Sequence, residues 1–196
     1  MEKPIAIIPA RGGSRRIPGK NNRPFFGKAI IAYSIEAALQ SRLFSDVIVS
    51  TDSSEIATLA FSYGALPYLR PAEFCRDEVG TQEVTRQCIE ALKRPALFVC
   101  TIYATSPLMR VRDLQIGYQL MLRHDFHFVL AVSASPLADV GQFYWSWVPG
   151  LLRGDPLIGT KTGLVPIPEG HYCDINTPDD WTRAEQLYRQ LLEKQK

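Results

Sequence analysis

The sequence is short of the features that mark several large protein classes. No apolar run is long enough to cross a bilayer. The opening Met1-Glu2-Lys3-Pro4 precedes only a brief apolar run, so no secretory leader is read, and a reduced cytoplasmic setting is expected. Four cysteines are present, Cys75, Cys88, Cys100 and Cys173, with no CxxC spacing, which argues against a zinc site. Cys88 and Cys100 fall in apolar periodic segments and read as buried thiols. His124, His127 and His171 show no ligand spacing. Nor is there an excess of one charge: the net charge is +2 with 21% charged residues, too balanced for a nucleic-acid or anionic-membrane partner.

What charge there is gathers near the N-terminus, in Arg11, Arg15, Arg16, Lys20, Arg23 and Lys28. A local cationic cluster in a near-neutral chain suits a small anionic ligand. The 196 residues, 46% of them hydrophobic, suit one globular domain, with no internal repeat and no low-complexity linker.

Hydrophobic patterning gives an alternating rhythm. Ile5 to Ile8 reads as a strand buried on both faces, and the spacing of Ile31, Ile35, Ala38 and Leu39 predicts a helix over 29–40. A second strand is read over 46–52, then a helix capped by Ser53 or Ser54 and ending at Gly64. An extended piece follows at 65–69, then a helix that Thr81 could cap, carrying Val84, Cys88, Ile89 and Leu92. Strands at 97–102 and 128–132 flank a helix over 111–123. Beyond Ala134 an aromatic strand is read at 140–145 and irregular or hairpin structure at 157–168. Thr177-Pro178-Asp179-Asp180 opens a last helix: an N-cap residue, proline at the first position and acids in the first turn. The rhythm predicts an α/β fold, a mostly parallel sheet with helices on both faces. The loops starting at Arg11, Asp52 and Ala104 then share the carboxyl edge, where ligands bind.

The first of those loops is Arg11-Gly12-Gly13-Ser14-Arg15-Arg16-Ile17-Pro18-Gly19-Lys20-Asn21. Gly12 and Gly13 let backbone N–H groups approach an anion, and the cations can neutralise a triphosphate. A flexible basic surface loop is the weaker alternative. It is not a P-loop: five residues rather than four separate Gly13 from Gly19, and Asn21 follows Lys20. The dinucleotide pattern GxGxxG is absent.

The run Ile7 to Asn21 resembles the signature of the cytidylyltransferases that activate sialic acids and related nonulosonic acids. Further blocks are similar in order: Ile48–Asp52 with Glu55-Ile56-Ala57; Leu69–Glu73 with Asp77 and Thr81; Tyr103–Leu108; and Asp174–Trp181. Tyr103-Ala104, with Gly141–Trp145, resembles the members that act on pseudaminic acid; sialic acid is the alternative, as is a weakly active CTP-binding paralogue. The resemblance implies a three-layer, Rossmann-like nucleotidyltransferase fold over 1–196, with a small sugar-side or dimerisation subregion around 133–168. It implies transfer of CMP from CTP to a nine-carbon 2-keto sugar acid, a homodimer, and Mg²⁺ as cofactor.

Site roles follow from the same resemblance. Ala10, Arg11, Gly12, Gly13, Arg15, Lys20, Asn21, Arg70 and Thr81 would handle the nucleotide. Tyr103, Thr105 and Gln142 would face the sugar, Asp174 and Asn176 the metal, and Arg11, Lys20 and Asp174 would be the catalytic set. Blander roles compete: Asp52 capping the next helix, Arg70 as a solvated loop charge, Thr81 as an N-cap, Tyr103 and Gln142 in packing. Three departures from the family pattern stand out. Arg15 replaces a lysine. Asn176 replaces a second aspartate, which predicts weaker Mg²⁺ binding. Only Ser135–Asp139 join the strand near Val132 to the aromatic strand, where relatives carry more.

Overall fold

The computed structural model describes residues 2–194. Its elements are β1 (Ile5–Pro9), β2 (Pro24–Phe25), β3 (Lys28–Ala29), α1 (Ile30–Ser41), β4 (Asp46–Thr51), α2 (Ser54–Ser62), β5 (Leu66–Leu69), α3 (Thr81–Leu92) and β6 (Phe98–Ile102). The second half adds α4 (Val111–Arg123), β7 (Phe128–Ser133), β8 (Asp139–Trp147), α5 (Val148–Arg153), β9 (Thr162–Ile167) and α6 (Pro178–Glu193). Seven strands form one sheet in the order β5-β4-β1-β6-β8-β7-β9. Every pairing is parallel except the two made by β8, which runs against both β6 and β7. The α/β, mostly parallel reading therefore holds, with one reversed strand inside it.

Strand side chains alternate between faces, and each face has its own core. Ala6, Ile8, Val49, Cys100 and Ile102 meet Ile31 and Ile35 of α1, Ile56 of α2 and Leu114 of α4. Ile5, Ile7, Ile48, Val99 and Tyr144 meet Cys88 and Ile89 of α3 and Leu151 of α5. β1 and β6 are buried almost throughout because both faces are covered, and Thr101 of β6, the one hydroxyl residue among them, meets the Thr85 hydroxyl at 2.8 Å. α6 packs elsewhere: Trp181 and Ala184 lie against Ile17, Phe25, Ile30, Tyr33 and Ile175. It therefore braces the segment after β1 rather than the sheet. In that segment the β2–β3 hairpin turns through Phe26 and Gly27, both with positive φ, the twist a two-residue hairpin prefers.

Several local expectations need correction. Gly80, not Thr81, is the N-cap of α3, and Thr81 is already its first helical residue. Its hydroxyl instead accepts a hydrogen bond from the Tyr144 phenol at 3.1 Å. Residues 157–168 hold no hairpin: β9 pairs parallel with β7 at the sheet edge. Pro166 is tolerated because the strand is an edge strand. The helix α5 was not anticipated at all. Of the stretch 133–168, β8 and β9 are strands of the same central sheet. Among the described residues, no helix is long and apolar enough to cross a membrane.

Candidate active site

The carboxyl ends of β1, β5 and β6 open onto a cleft of about 470 Å³. The loop after β1 lines it with Arg11, Ser14, Arg15, Arg16, Lys20 and Asn21. The segment after β5 supplies Arg70, Arg76, Asp77 and Val79, and α3 supplies Thr81 and Val84. Tyr103, Ala104 and Thr105 come from the end of β6, and Asn176 from the approach to α6. Four chain segments distant in sequence thus converge where the α/β topology predicts a ligand. The volume falls in the range of small-molecule sites.

The loop after β1 is anchored through its backbone. The Gly12 N–H donates to Asp52 Oδ1 at 2.7 Å. Asp52 is thereby a loop anchor, and the capping role falls to Ser53, whose hydroxyl accepts from Ile56 N–H. The Gly12 N–H, read from the sequence as a phosphate donor, is engaged here by a carboxylate. Gly12 is also confined: an added Cβ would lie 3.1 Å from Ser53 Cβ, whereas one on Gly13 meets nothing within 4 Å. Asn21 is buried, and its Nδ2 donates to Arg11 O at 2.8 Å, closing the loop on itself. Ala10 is fully buried, and its N–H continues the sheet by donating to Ser50 O.

Arg70 is no solvated charge. It is only 8% exposed, with one amino group donating to Ser50 O at 2.6 Å and the other to Phe74 O at 3.3 Å. Burial pulls its pKa below the ordinary arginine value, partly opposed by nearby Cys75 and Asp52. It ties the segment after β5 to the end of β4. Lys20 points the other way and donates to Ile175 O at 2.6 Å. Burial lowers its pKa, and the Asp174 carboxylate partly restores it.

At the β6 end, Tyr103 N–H donates to Gln142 O at 2.8 Å. Burial pushes the Tyr103 phenol up to about 12, so it stays a neutral donor. Gln142 does not line the cleft. Only 1% exposed, it sends Nε2 to His171 O at 2.6 Å, and its Oε1 has no partner among the described residues.

Asp174 lines an adjoining pocket of about 210 Å³ with Asp139, Val140, Tyr172, Cys173, Asp180 and Arg183. Asn176 links the two spaces: its Nδ2 donates to Asp174 Oδ2 at 2.6 Å, while its Oδ1 accepts from Arg16 at 3.0 Å. Burial, then the charge of Asp174, raises the Asp139 carboxyl, opposed by the Gly141 N–H. Gly141 has φ +62, and a Cβ there would sit 2.8 Å from Asp174 Oδ1. Among the described residues no group of three metal-ligating side chains is assembled. One carboxylate beside a phosphate cleft nevertheless fits a hard cation that draws its other ligands from substrate oxygens and water. The Asn176 amide does not add to that set as oriented, since its oxygen is taken by Arg16.

Sequence reasoning named Asp52, Gly141 and Asp77 without their contacts here and gave Asp139 no role; Asp77 pairs with Arg11 and with Arg15 at 2.9 Å. The signal lay in the acids facing the cationic loop, but only the three-dimensional pairing reveals which acid meets which cation.

The cytidylyltransferase family profile matches residues 5–129. The pseudaminic acid cytidylyltransferase of Campylobacter jejuni (strain 81-176) is 30% identical over 224 aligned positions, covering 95% of this chain and 97% of that protein. The CMP-N,N'-diacetyllegionaminic acid synthase of Legionella pneumophila is 37% identical over 141 residues, covering 68% of this chain and 58% of that protein. In fold, the chain is similar to a CMP:2-keto-3-deoxy-manno-octonic acid synthetase solved with CTP, at TM-score 0.78 and 17% identity, covering 96% of this chain and 99% of that one. With its profile match, its near-full-length relative and a cationic cleft at the strand ends, the chain belongs to the cytidylyltransferase family.

Proposed function

We propose that the protein transfers CMP from CTP to a nine-carbon 2-keto sugar acid, pseudaminic acid in the first instance, and releases pyrophosphate. The observation that carries this reading is the cleft itself. It brings Arg11, Arg15 and Lys20 together with Tyr103 and Thr105 around one space, and the near-full-length relative is named for that sugar.

In this reading the sugar's anomeric hydroxyl attacks the α-phosphorus, and the bond to the pyrophosphate oxygen breaks. Such a reaction needs positioning and charge neutralisation more than covalent help from the protein. Arg11 and Arg15 hold the outer phosphates, the arginine fork matching phosphate oxygens. Lys20 lies between the cleft and Asp174 and carries charge toward the α-phosphate. Arg70 and Thr81 shape the cytidine side. Tyr103 and Thr105 contact the sugar, and Gln142 serves by holding the turn at His171. A bound divalent cation, Mg²⁺ in our reading, would neutralise phosphate charge, and Asp174 would hold it. The enzyme is read as a cytoplasmic homodimer, as its resemblance to the nonulosonic acid enzymes implies.

The test is pyrophosphate release on incubation with CTP, Mg²⁺ and, separately, pseudaminic, legionaminic and sialic acids. Release with pseudaminic acid alone supports the full reading, and release with another acid reassigns the sugar. CTP binding without release from any acid favours the weakly active alternative, to which Asn176 points because it leaves Asp174 without a second carboxylate ligand.

A further inference from the structure

Arg11 and Arg15 share one acidic partner. Asp77, from the opposite side of the cleft mouth, takes Arg11 through Oδ1 and Arg15 through Oδ2. The two segments that meet there are held at their bases. The backbone of the first is tied by Gly12 to Asp52 and by Asn21 to Arg11 O. The second is tied by Arg70 to Ser50 O and Phe74 O. What remains free to change is the pairing between side chains, and the Arg15 side chain is 85% exposed.

A bidentate carboxylate between two arginines offers them what the outer phosphates of a triphosphate would offer. The hydrogen bond from Arg11 holds the Asp77 carboxyl below its ordinary range, so it is a carboxylate at neutral pH. Asp77 and the phosphates therefore compete for the same donors.

We propose that Asp77 acts as an internal competitor, pairing with Arg11 and Arg15 at the cleft mouth and pairing with them again as pyrophosphate leaves. This rests on the nucleotide reading above. Any ligand that reaches both arginines must displace Asp77 and is weakened by the same factor, whereas CMP, which lacks the outer phosphates, is not. The device costs affinity for substrate and favours departure of the pyrophosphate product.

The test is calorimetric binding of CTP, CMP and inorganic pyrophosphate to the wild-type chain, Asp77→Asn and Asp77→Glu, at fixed ionic strength. Asp77→Asn is expected to tighten CTP and pyrophosphate together, by about two- to tenfold for the loss of two exposed ion pairs. CMP should be unchanged, and Asp77→Glu should stay near wild type. A circular-dichroism melt of Asp77→Asn matching wild type excludes misfolding. Weaker CTP binding in a folded Asp77→Asn overturns the proposal, because Asp77 would then be organising the arginines rather than competing for them. So does an equal shift for CMP, or no shift for pyrophosphate. If the wild-type chain binds no CTP, the nucleotide reading fails and this inference with it; if it binds CTP and only the predicted pattern is missing, the inference alone fails.

Discussion

In the loop after β1 the Asp52 carboxylate takes the N–H of Gly12, a donor that a phosphate would otherwise recruit. Two more acids act nearby: Asp77 on the arginines and Asp174 beside Lys20. Lys20 gives a pH prediction. Burial lowers its pKa from 10.5, so it loses its proton at a lower pH than an exposed lysine. Phosphate binding needs the charged form, so kcat/KM for CTP should fall with rising pH before 10.5 is reached. Lys20→Arg should move that limb upward, and a limb that stays in place would remove Lys20 from the phosphate site. The sign for stability is opposite. Between the lowered value and 10.5 the unfolded chain binds more protons than the folded one, so this group's contribution rises with pH through that window. Asn176→Asp would set a second carboxylate against Asp174, where an amide now donates at 2.6 Å. The Mg²⁺ concentration for half-maximal activity should drop about three- to tenfold, in line with the net magnitude of an ordinary hydrogen bond. An unchanged requirement would take residue 176 out of the metal site.

Among the elements, α6 shows how local rules reach the cleft. Thr177 and Asp180 form a capping box that fixes the helix start, and Asn176 N–H also donates to Asp180. That helix was readable from its first four residues. β8, α5 and β9 were less so, and each for a physical reason. An apolar strand carries no mark of its direction, so the reversal of β8 could not be read from 140–145. α5 has six residues with proline and glycine among them, too few for a 3.6-residue period. β9 is broken in pattern by Gly163 and Pro166, and Gly163 is needed because a Cβ would lie 2.7 Å from the Phe126 ring. In α4, Gly117 looks like a helix defect, yet a Cβ there would meet Trp145 Cδ1 at 2.6 Å. That indole is fully buried and stacks on Tyr118 and Phe44. Gly117→Ala should therefore destabilise despite the better helix propensity of alanine: overpacking costs about 1–3 kcal/mol against a gain of about 1 kcal/mol. A urea midpoint at or above wild type would show that the indole can move aside.

For the whole molecule, the cleft draws on segments from Pro9 to Asn176, so ligand binding and global stability are coupled. CTP at about a hundred times its Kd should add about 2.7 kcal/mol and raise the melting temperature by roughly 5–10 °C. A melt unmoved by saturating CTP would contradict the site. At this scale the fold class and the cationic loop were legible because strand and helix periods and clustered charge survive in one dimension. The pairing of Arg11 with Asp77, or the burial of Gln142 under His171, depends on the path of the chain between them and was not.

The reversal of β8 carries one more consequence. Since β6 and β7 run alike and β8 returns between them, the turn over 134–138 opens at the same sheet edge as Tyr103. It is closed by Ser133 N–H on Ala138 O and by Ala138 N–H on the Ser133 hydroxyl. Lengthening it would leave β1, β4 and their loops undisturbed, and the 224-position alignment with the Campylobacter jejuni relative exceeds the 196 residues here, so that relative carries stretches without a counterpart in this chain. The 134–138 turn is thus a place where the chain can grow beside the cleft without disturbing the strands that carry the cationic loop.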